Sequence, residues 1–372
     1  MKKIITLALA LLCVLSVFVG CKTEKAPEKV TPSNTNVTET FDIPKNEGRE
    51  YNVEFSEYIT LPELSSLEVN YVTIPNTPEM VDQYVYAQQL TKATRTEVTD
   101  RAVASGDIAT INYKIVFFGT DEVVSEQKNV EISVGKYMAI PELEDALIGM
   151  AKGETKQVDI VYPADRTTSK LLANAKTTYT IEMVKIETAV LPELNAETIK
   201  SFGLGVSTLE ELREFYAYQI DQQNSLNKQD AVYNALIQGS TLISMPSAEH
   251  SYYLDMFDKN AKAKADSMGI TVDDVIASDY GTKEEYELKR NAYAEENVYK
   301  DLIVYALKDR FDIEVTKEEF NTALSVTFRD QAAGLGLTTI QDFYDKMGSS
   351  VYKMELTYQV IEAAAKQVPD KK

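Results

Sequence analysis

The chain predicts an α+β protein in which a curved antiparallel β-sheet with one short helix precedes an all-α domain. Three observations carry that prediction. Between residues 105 and 190 apolar and polar side chains alternate in short runs, the mark of half-buried strands. One run with helical spacing interrupts them, opened by Pro141, which suits a first helical turn. From Asn195 onward the alternation gives way to repeated Ser/Thr starts followed by apolar stripes at helical spacing.

The elements follow in chain order. Lys2-Lys3 precede an apolar run from Ile4 to Val19 and then Gly20-Cys21, a secretory signal with a small residue before cysteine. The run is short for a bilayer span of about 20 residues. It resembles a bacterial lipoprotein signal, although Phe18 stands where that motif usually has leucine. The resemblance implies removal of residues 1–20, a lipid on Cys21, and an extracytoplasmic chain anchored by that lipid to the bacterial cell membrane. Cys13 leaves with the signal, so no disulfide is expected. Residues 21–50, rich in Thr, Pro, Asn, Glu and Lys without periodicity, suit a flexible tether. At 372 residues the chain is too long for one ordinary core, and its formal net charge of −20 argues against nucleic acid and against adhesion to an anionic lipid surface.

Residues 51–104 read as a linker module packing on the helical domain, with a strand up to Ile74 and a helix from about Pro78 to Thr94. Met80, Tyr84, Ala87 and Leu90 share one face of that helix. In residues 105–190, Thr110–Phe117 places Ile111, Tyr113, Ile115 and Phe117 on one side. Gln157–Tyr162 and Thr177–Met183 alternate in the same way. Between them Val130–Glu154 holds a strand and the short helix, on which Leu143, Leu147 and Met150 face the sheet.

The stretch runs from Gly106-Asp107 leading into Ile111-Asn112-Tyr113, through Val134-Gly135 before Ala139–Asp145, Gly149–Glu154 and Tyr162-Pro163, to the Tyr179 strand and Leu191–Leu194. In that order and spacing it resembles the FKBP-type peptidyl-prolyl isomerase domain, in the version carried by trigger factor. The resemblance implies rotation about X-Pro bonds, whose barrier of about 18–20 kcal/mol comes from amide resonance. Such a reaction needs neither nucleophile nor metal, only an apolar site that holds the twisted imide better than the planar one. The resemblance further implies Tyr113, Ile140, Leu143 and Tyr179 as catalytic residues and Val124, Ser125, Val130 and Ala139 as substrate-binding ones. The Ile140 backbone N–H is the group that would meet the substrate carbonyl. Three positions depart from the family pattern. Its aromatic–acid pair is Val124-Ser125 here, its aromatic floor is Leu143, and the tyrosine usual beyond Tyr162-Pro163 is replaced by Arg166-Thr167-Thr168. Two readings therefore stand side by side: an active isomerase, and a weak or inactive domain that serves as scaffold.

Residues 191–368 resemble the trigger factor C-terminal chaperone domain in order and length. Ser207–Glu210, Thr282–Glu285, Thr316–Glu319 and Thr338–Gln341 fit capping boxes, and Leu209, Leu212, Tyr216 and Ile220 form one stripe. With 22 Tyr against no Trp, the helices are expected to expose tyrosine rings as grip for unfolded chains. The resemblance implies unfolded or proline-containing polypeptides as partners. The ribosome-docking domain of that family has no counterpart in the sequence, so no ribosome is expected as partner. A dedicated-partner lipoprotein without catalysis is the alternative.

Other chemistry finds no support. His250 is the sole histidine, so zinc sites and a Ser-His-Asp triad lack their residues. Gly203-Leu-Gly205 and Gly334-Leu-Gly336 lack a phosphate-loop pattern, and Asp273-Asp274 and Glu284-Glu285 read as solvated helix starts rather than metal ligands. No cofactor and no metal is expected.

Overall fold

A computed structural model of the chain describes residues 40–44, 53–167, 169 and 171–370. The signal and Cys21 lie outside the described residues, as does the expected tether apart from residues 40–44. The described chain divides into two compact units, one of residues 71–227 and one of residues 40–44, 53–70 and 228–370.

The first unit holds a five-stranded antiparallel sheet in the order β2-β6-β3-β4, with β5 on β6 as well. Its strands are β2 (Thr94–Glu97), β3 (Ile108–Phe117), β4 (Val123–Ser133), β5 (Thr155–Val161) and β6 (Lys176–Val190). The long β6 is the spine: it pairs with β5 through residues 176–182, with β2 through 187–190, and with β3 through 177–187. A register shift on β3 between Thr110 and Ile111 breaks strict pairing with β6, the usual way a sheet bends. On one face lies the short helix α2 (Pro141–Leu147), whose Leu143 and Leu147 close the core against Ile111, Tyr113, Ile115, Tyr179 and Ile181 as predicted, while Met150 joins that core from beyond the helix end rather than from the helix.

The rest of this unit is helical. α1 (Pro78–Leu90), capped by Thr77, packs Val81, Tyr84 and Val85 against Leu212, Phe215, Tyr216 and Ile220 of α4 (Leu209–Gly239) and Ile199 of α3 (Ala196–Ser201). The helix ends earlier than expected, and Val81 and Val85 join Tyr84 in the core where Ala87 and Leu90 were predicted. No strand leads to Ile74. Its backbone is satisfied instead by side chains of α4, with both Ile74 N–H and C=O on Asn224 and Val72 C=O on Asn227 Nδ2.

The second unit is built from α5 (Ser247–Met268), α6 (Val272–Asp279), α7 (Lys283–Phe311), α8 (Lys317–Gln331) and α9 (Ile340–Gln367), with the end of α4. A two-stranded ribbon pairs β1 (Ile59–Thr60) with β7 (Thr241–Leu242). Val298, Leu302, Phe320, Leu324, Phe343 and Val360 are among its buried side chains. Part of the segment expected as tether belongs to this core. Phe41 is buried, stacks on Tyr344 at 4.7 Å, and exchanges both backbone hydrogen bonds with the Asn321 amide. An apolar ring with its backbone satisfied gains more by burial than by remaining solvated.

Helix starts also correct the sequence reading by single residues. The box at Thr316–Glu319 forms as expected. Thr282 caps α7 through Glu285 N–H, but α4 starts on Thr208 with Glu211, and α9 on Thr339, one residue beyond the expected caps. A further box, Thr271–Asp274, opens α6 and gives that acidic residue a structural role.

The surplus tyrosines are not the exposed grip predicted for them. Among the helical tyrosines Tyr253, Tyr286 and Tyr305 are buried, Tyr252, Tyr280, Tyr293, Tyr299, Tyr344 and Tyr352 are half-buried, and Tyr358 is exposed. The reason is that the phenol tips find internal acceptors: Tyr286 donates to Asp258 at 2.8 Å, and Tyr299 to the Ile237 and Ser240 carbonyls. Exposed apolar surface in this unit comes instead from aliphatic residues such as Leu242, Ile243, Met268, Leu288 and Met354.

Candidate functional site

The site is assembled where α2 meets the sheet. Strand β3 places Tyr113 opposite Ile181 on β6, and Tyr179 stands opposite Ile115, so both tyrosines point to the same face. Their rings lie 6.2 Å apart at 36°, and they are 2% and 1% exposed. Leu143, 1% exposed, comes down on them from α2, and Ile140 at the mouth of that helix joins the same core. Val130 pairs with Ile111 and packs half-buried on this core, as do Val124 and Ala139. Ser125, opposite Ile115, is buried. Seven of the eight sequence-predicted site residues thus belong to or pack against one core, and Ser125 is buried on the neighbouring strand.

The loop that delivers Ile140 is held by a side chain to which the sequence reading assigned no role. The Glu144 carboxylate is fully buried and accepts three backbone N–H groups, from Gly135 at 2.9 Å, Tyr137 at 2.8 Å and Ala139 at 2.8 Å. Charge-assisted bonds of this kind are roughly twice as strong as neutral ones. They sustain an unusual backbone: Tyr137 sits at φ 54°, a left-handed conformation that costs a non-glycine residue on the order of 1 kcal/mol. Gly135 at φ +80° admits no side chain either, because a Cβ there would meet Ser105 Oγ at 2.1 Å.

The result is a fixed donor. Ile140 has extended backbone angles of φ −67° and ψ 125°, its carbonyl accepts Leu143 and Glu144 N–H, and Pro141 follows. Its own N–H meets no acceptor among the described residues. The signal in the sequence was Glu144 four residues beyond the loop end, readable only once the loop's turn is known.

Arg166 enters from the other side. The turn Ala164–Arg166 after β5 lets its guanidinium Nη1 reach the Ala139 carbonyl at 3.3 Å, the opposite end of the trans peptide group that carries the Ile140 N–H. Burial pushes the Tyr179 phenol far up from its ordinary value, with Tyr162 and Tyr113 adding to the effect. Burial also raises Tyr162, against the pull of the Arg166 charge. Neutral phenols, an amide donor and aliphatic walls can orient and desolvate an imide. The Glu144 carboxylate is taken up by three backbone amides, and no cluster of metal-ligating side chains occurs among the described residues.

Two family models match the chain. Residues 99–184 match the family described as FKBP-type peptidyl-prolyl cis-trans isomerase, and residues 208–367 the bacterial trigger factor protein C-terminus. The trigger factor of Caldicellulosiruptor saccharolyticus is 26% identical over 267 residues, 71% of this chain and 60% of that protein. That of Bdellovibrio bacteriovorus is 27% identical over 310 residues, 82% of this chain and 68% of that protein. The Francisella tularensis subsp. novicida trigger factor reaches 34% over 166 residues, 44% of this chain and 37% of that protein. A solved structure described as "Promiscuous Substrate Recognition in Folding and Assembly Activities of the Trigger Factor Chaperone" aligns at 16% identity and a TM-score of 0.37, over 84% of this chain and 74% of that one.

Proposed function

We propose that this trigger factor-like chain, which carries an FKBP-type isomerase domain and a trigger factor C-terminal domain, is a folding factor for exported polypeptides. It holds unfolded segments and accelerates rotation about their X-Pro bonds. The observation that carries the catalytic part is the Ile140 N–H, held by the Glu144-bonded loop, meeting no acceptor among the described residues and adjoining a core of Tyr113, Leu143 and Tyr179. A substrate carbonyl accepting that N–H lies against apolar walls, where loss of water favours the twisted imide, whose nitrogen has lost its resonance. Binding of unfolded chains rests on the C-terminal domain match and on the exposed aliphatic side chains of the second unit.

Location is part of the proposal. The Lys2-Lys3 start, the apolar run and Gly20-Cys21 support export and a lipid on Cys21. Among the described residues no helix is long and apolar enough to cross a membrane.

A second reading has its own support, since Tyr113, Leu143 and Tyr179 are almost completely buried and also serve as ordinary core. In that reading the chain binds without catalysing. Refolding of a proline-limited protein separates the two. The isomerase reading expects substoichiometric amounts of the full chain to speed the slow phase in proportion to concentration. If the slow phase is unchanged at equimolar chain while aggregation of the same protein is suppressed, the noncatalytic reading replaces it.

A further inference from the structure

We propose that Arg166 makes this site select peptides bearing a carboxylate side chain next to the proline. The inference rests on the functional reading above and names the substrate class of that same site. The turn Ala164–Arg166 is closed by Arg166 N–H on the Pro163 carbonyl at 3.1 Å, which sets the side chain half-buried over the Ala139 carbonyl. A guanidinium carries five N–H donors in a planar fork matched to a carboxylate. The contact with Ala139 uses one terminal nitrogen. Among the described side chains no carboxylate pairs with Arg166, and Glu144, which reaches the same loop, is already engaged by three amides.

The charged side chains bonded to Ala139 are the Arg166 guanidinium on its carbonyl and the Glu144 carboxylate on its N–H, the latter buried and committed to the loop amides, so the cation is the one of the two with donors left for a ligand. Arg166 and a peptide carbonyl accepting the Ile140 N–H sit at the two ends of one trans peptide group, a span that a long acidic side chain beside the bound proline can bridge. The surrounding protein carries a formal net charge of −20 and on its own repels acidic peptides. Arg166 is thus a local cation set against an acidic background. A part-exposed pair of this kind changes affinity by about two- to fivefold.

The test uses the full chain and three sets of short peptides that carry Glu, Ala or Lys beside a single proline. Dissociation constants come from titration, and cis–trans exchange rates from NMR magnetisation transfer. Wild type is expected to bind the Glu peptides about threefold more tightly than the Lys peptides. Arg166→Gln should reverse the order, since only the acidic background remains, and Arg166→Lys should keep much of the preference. Matching melting curves for the variants confirm intact folding. An affinity ratio that is the same in wild type and Arg166→Gln overturns the inference, as does absence of binding by every peptide. Binding with the expected ratio but without accelerated exchange supports the selectivity while overturning the isomerase reading.

Discussion

At the scale of single residues, the site depends on Glu144 holding a loop so that Ile140 presents its N–H. Glu144→Gln replaces one acceptor oxygen by a donor facing backbone donors. It should cost about 1–3 kcal/mol, the usual penalty for leaving a buried polar group unmatched, measured as a shift in denaturant midpoint. Isomerase activity should fall further than the fraction unfolded explains. Ile140→Pro removes only the N–H in backbone terms, because φ −67° already suits proline, whereas Ile140→Ala keeps the N–H and trims the wall. Proline-limited refolding assays should show the Pro variant losing the larger share of activity. The pH profile follows from the tyrosines: burial raises Tyr179 and Tyr162, so their phenols stay neutral and activity should remain flat on the alkaline side to at least about pH 9. A descending limb between pH 7 and 9 would assign a titrating group to the reaction and refute that description.

At the scale of elements, two fixings are open to measurement. The turn entering β3 is held by Asp107, which is buried and pinned by Arg101 and by Ala104 N–H at 2.9 Å. The Arg101 hydrogen bond keeps the Asp107 carboxyl below its usual range, and the Ala104 amide helps, against the opposing effect of burial. Its folded value is therefore lower than its unfolded one of about 3.9, so its stabilisation is present at neutral pH and disappears as pH falls below about 4. Asp107→Asn should flatten the acid limb of stability measured by denaturant midpoint against pH. In the second unit α5, α7 and α9 meet at Asp301, fully buried, where Tyr253 donates to the carboxylate and Lys353 Nζ lies 2.5 Å away. Lys353→Met leaves that charge without its cation and should lower stability by on the order of 2 kcal/mol, less than for a fully buried pair because the lysine is one-third exposed. How much was legible follows the range of the interactions. Ile111, Tyr113 and Ile115 alternate within eight residues, and Pro141 with Leu143 and Leu147 spells out α2 within seven, so strands and helix could be read locally. Strand β2 could not, because Thr94–Glu97 has no apolar alternation and exists only by pairing with Val190–Glu187. The tyrosines misled for the same reason, since the acceptors of Tyr286 and Tyr299 lie 28 and about 60 positions away.

At the scale of the molecule, compact units and chain order do not coincide. Residues 53–70 and Phe41 are built into the second unit, while α1 and β2 belong to the first. The sequence reading placed residues 51–104 in one linker module, whereas residues 53–70 and 71–104 fall in different units. Phe41 stacks on Tyr344, which in turn meets Phe320 edge-on, so Phe41→Ala should lower the stability of the second unit by about 3 kcal/mol. The proposed anchor belongs to this scale too. Cys21→Ser should move the chain from the membrane fraction to the soluble extracytoplasmic one, and unchanged partition would remove the lipid from the account. Central to everything is that Ile140 offers its N–H to a prolyl peptide. The most direct measurement is selective isotope labelling of isoleucine in the full chain, with the Ile140 amide identified by its loss in Ile140→Val, followed by titration with a proline peptide. The account predicts that this amide proton shifts progressively and saturates as the peptide binds. An Ile140 amide that stays in place while other resonances report saturation would contradict it.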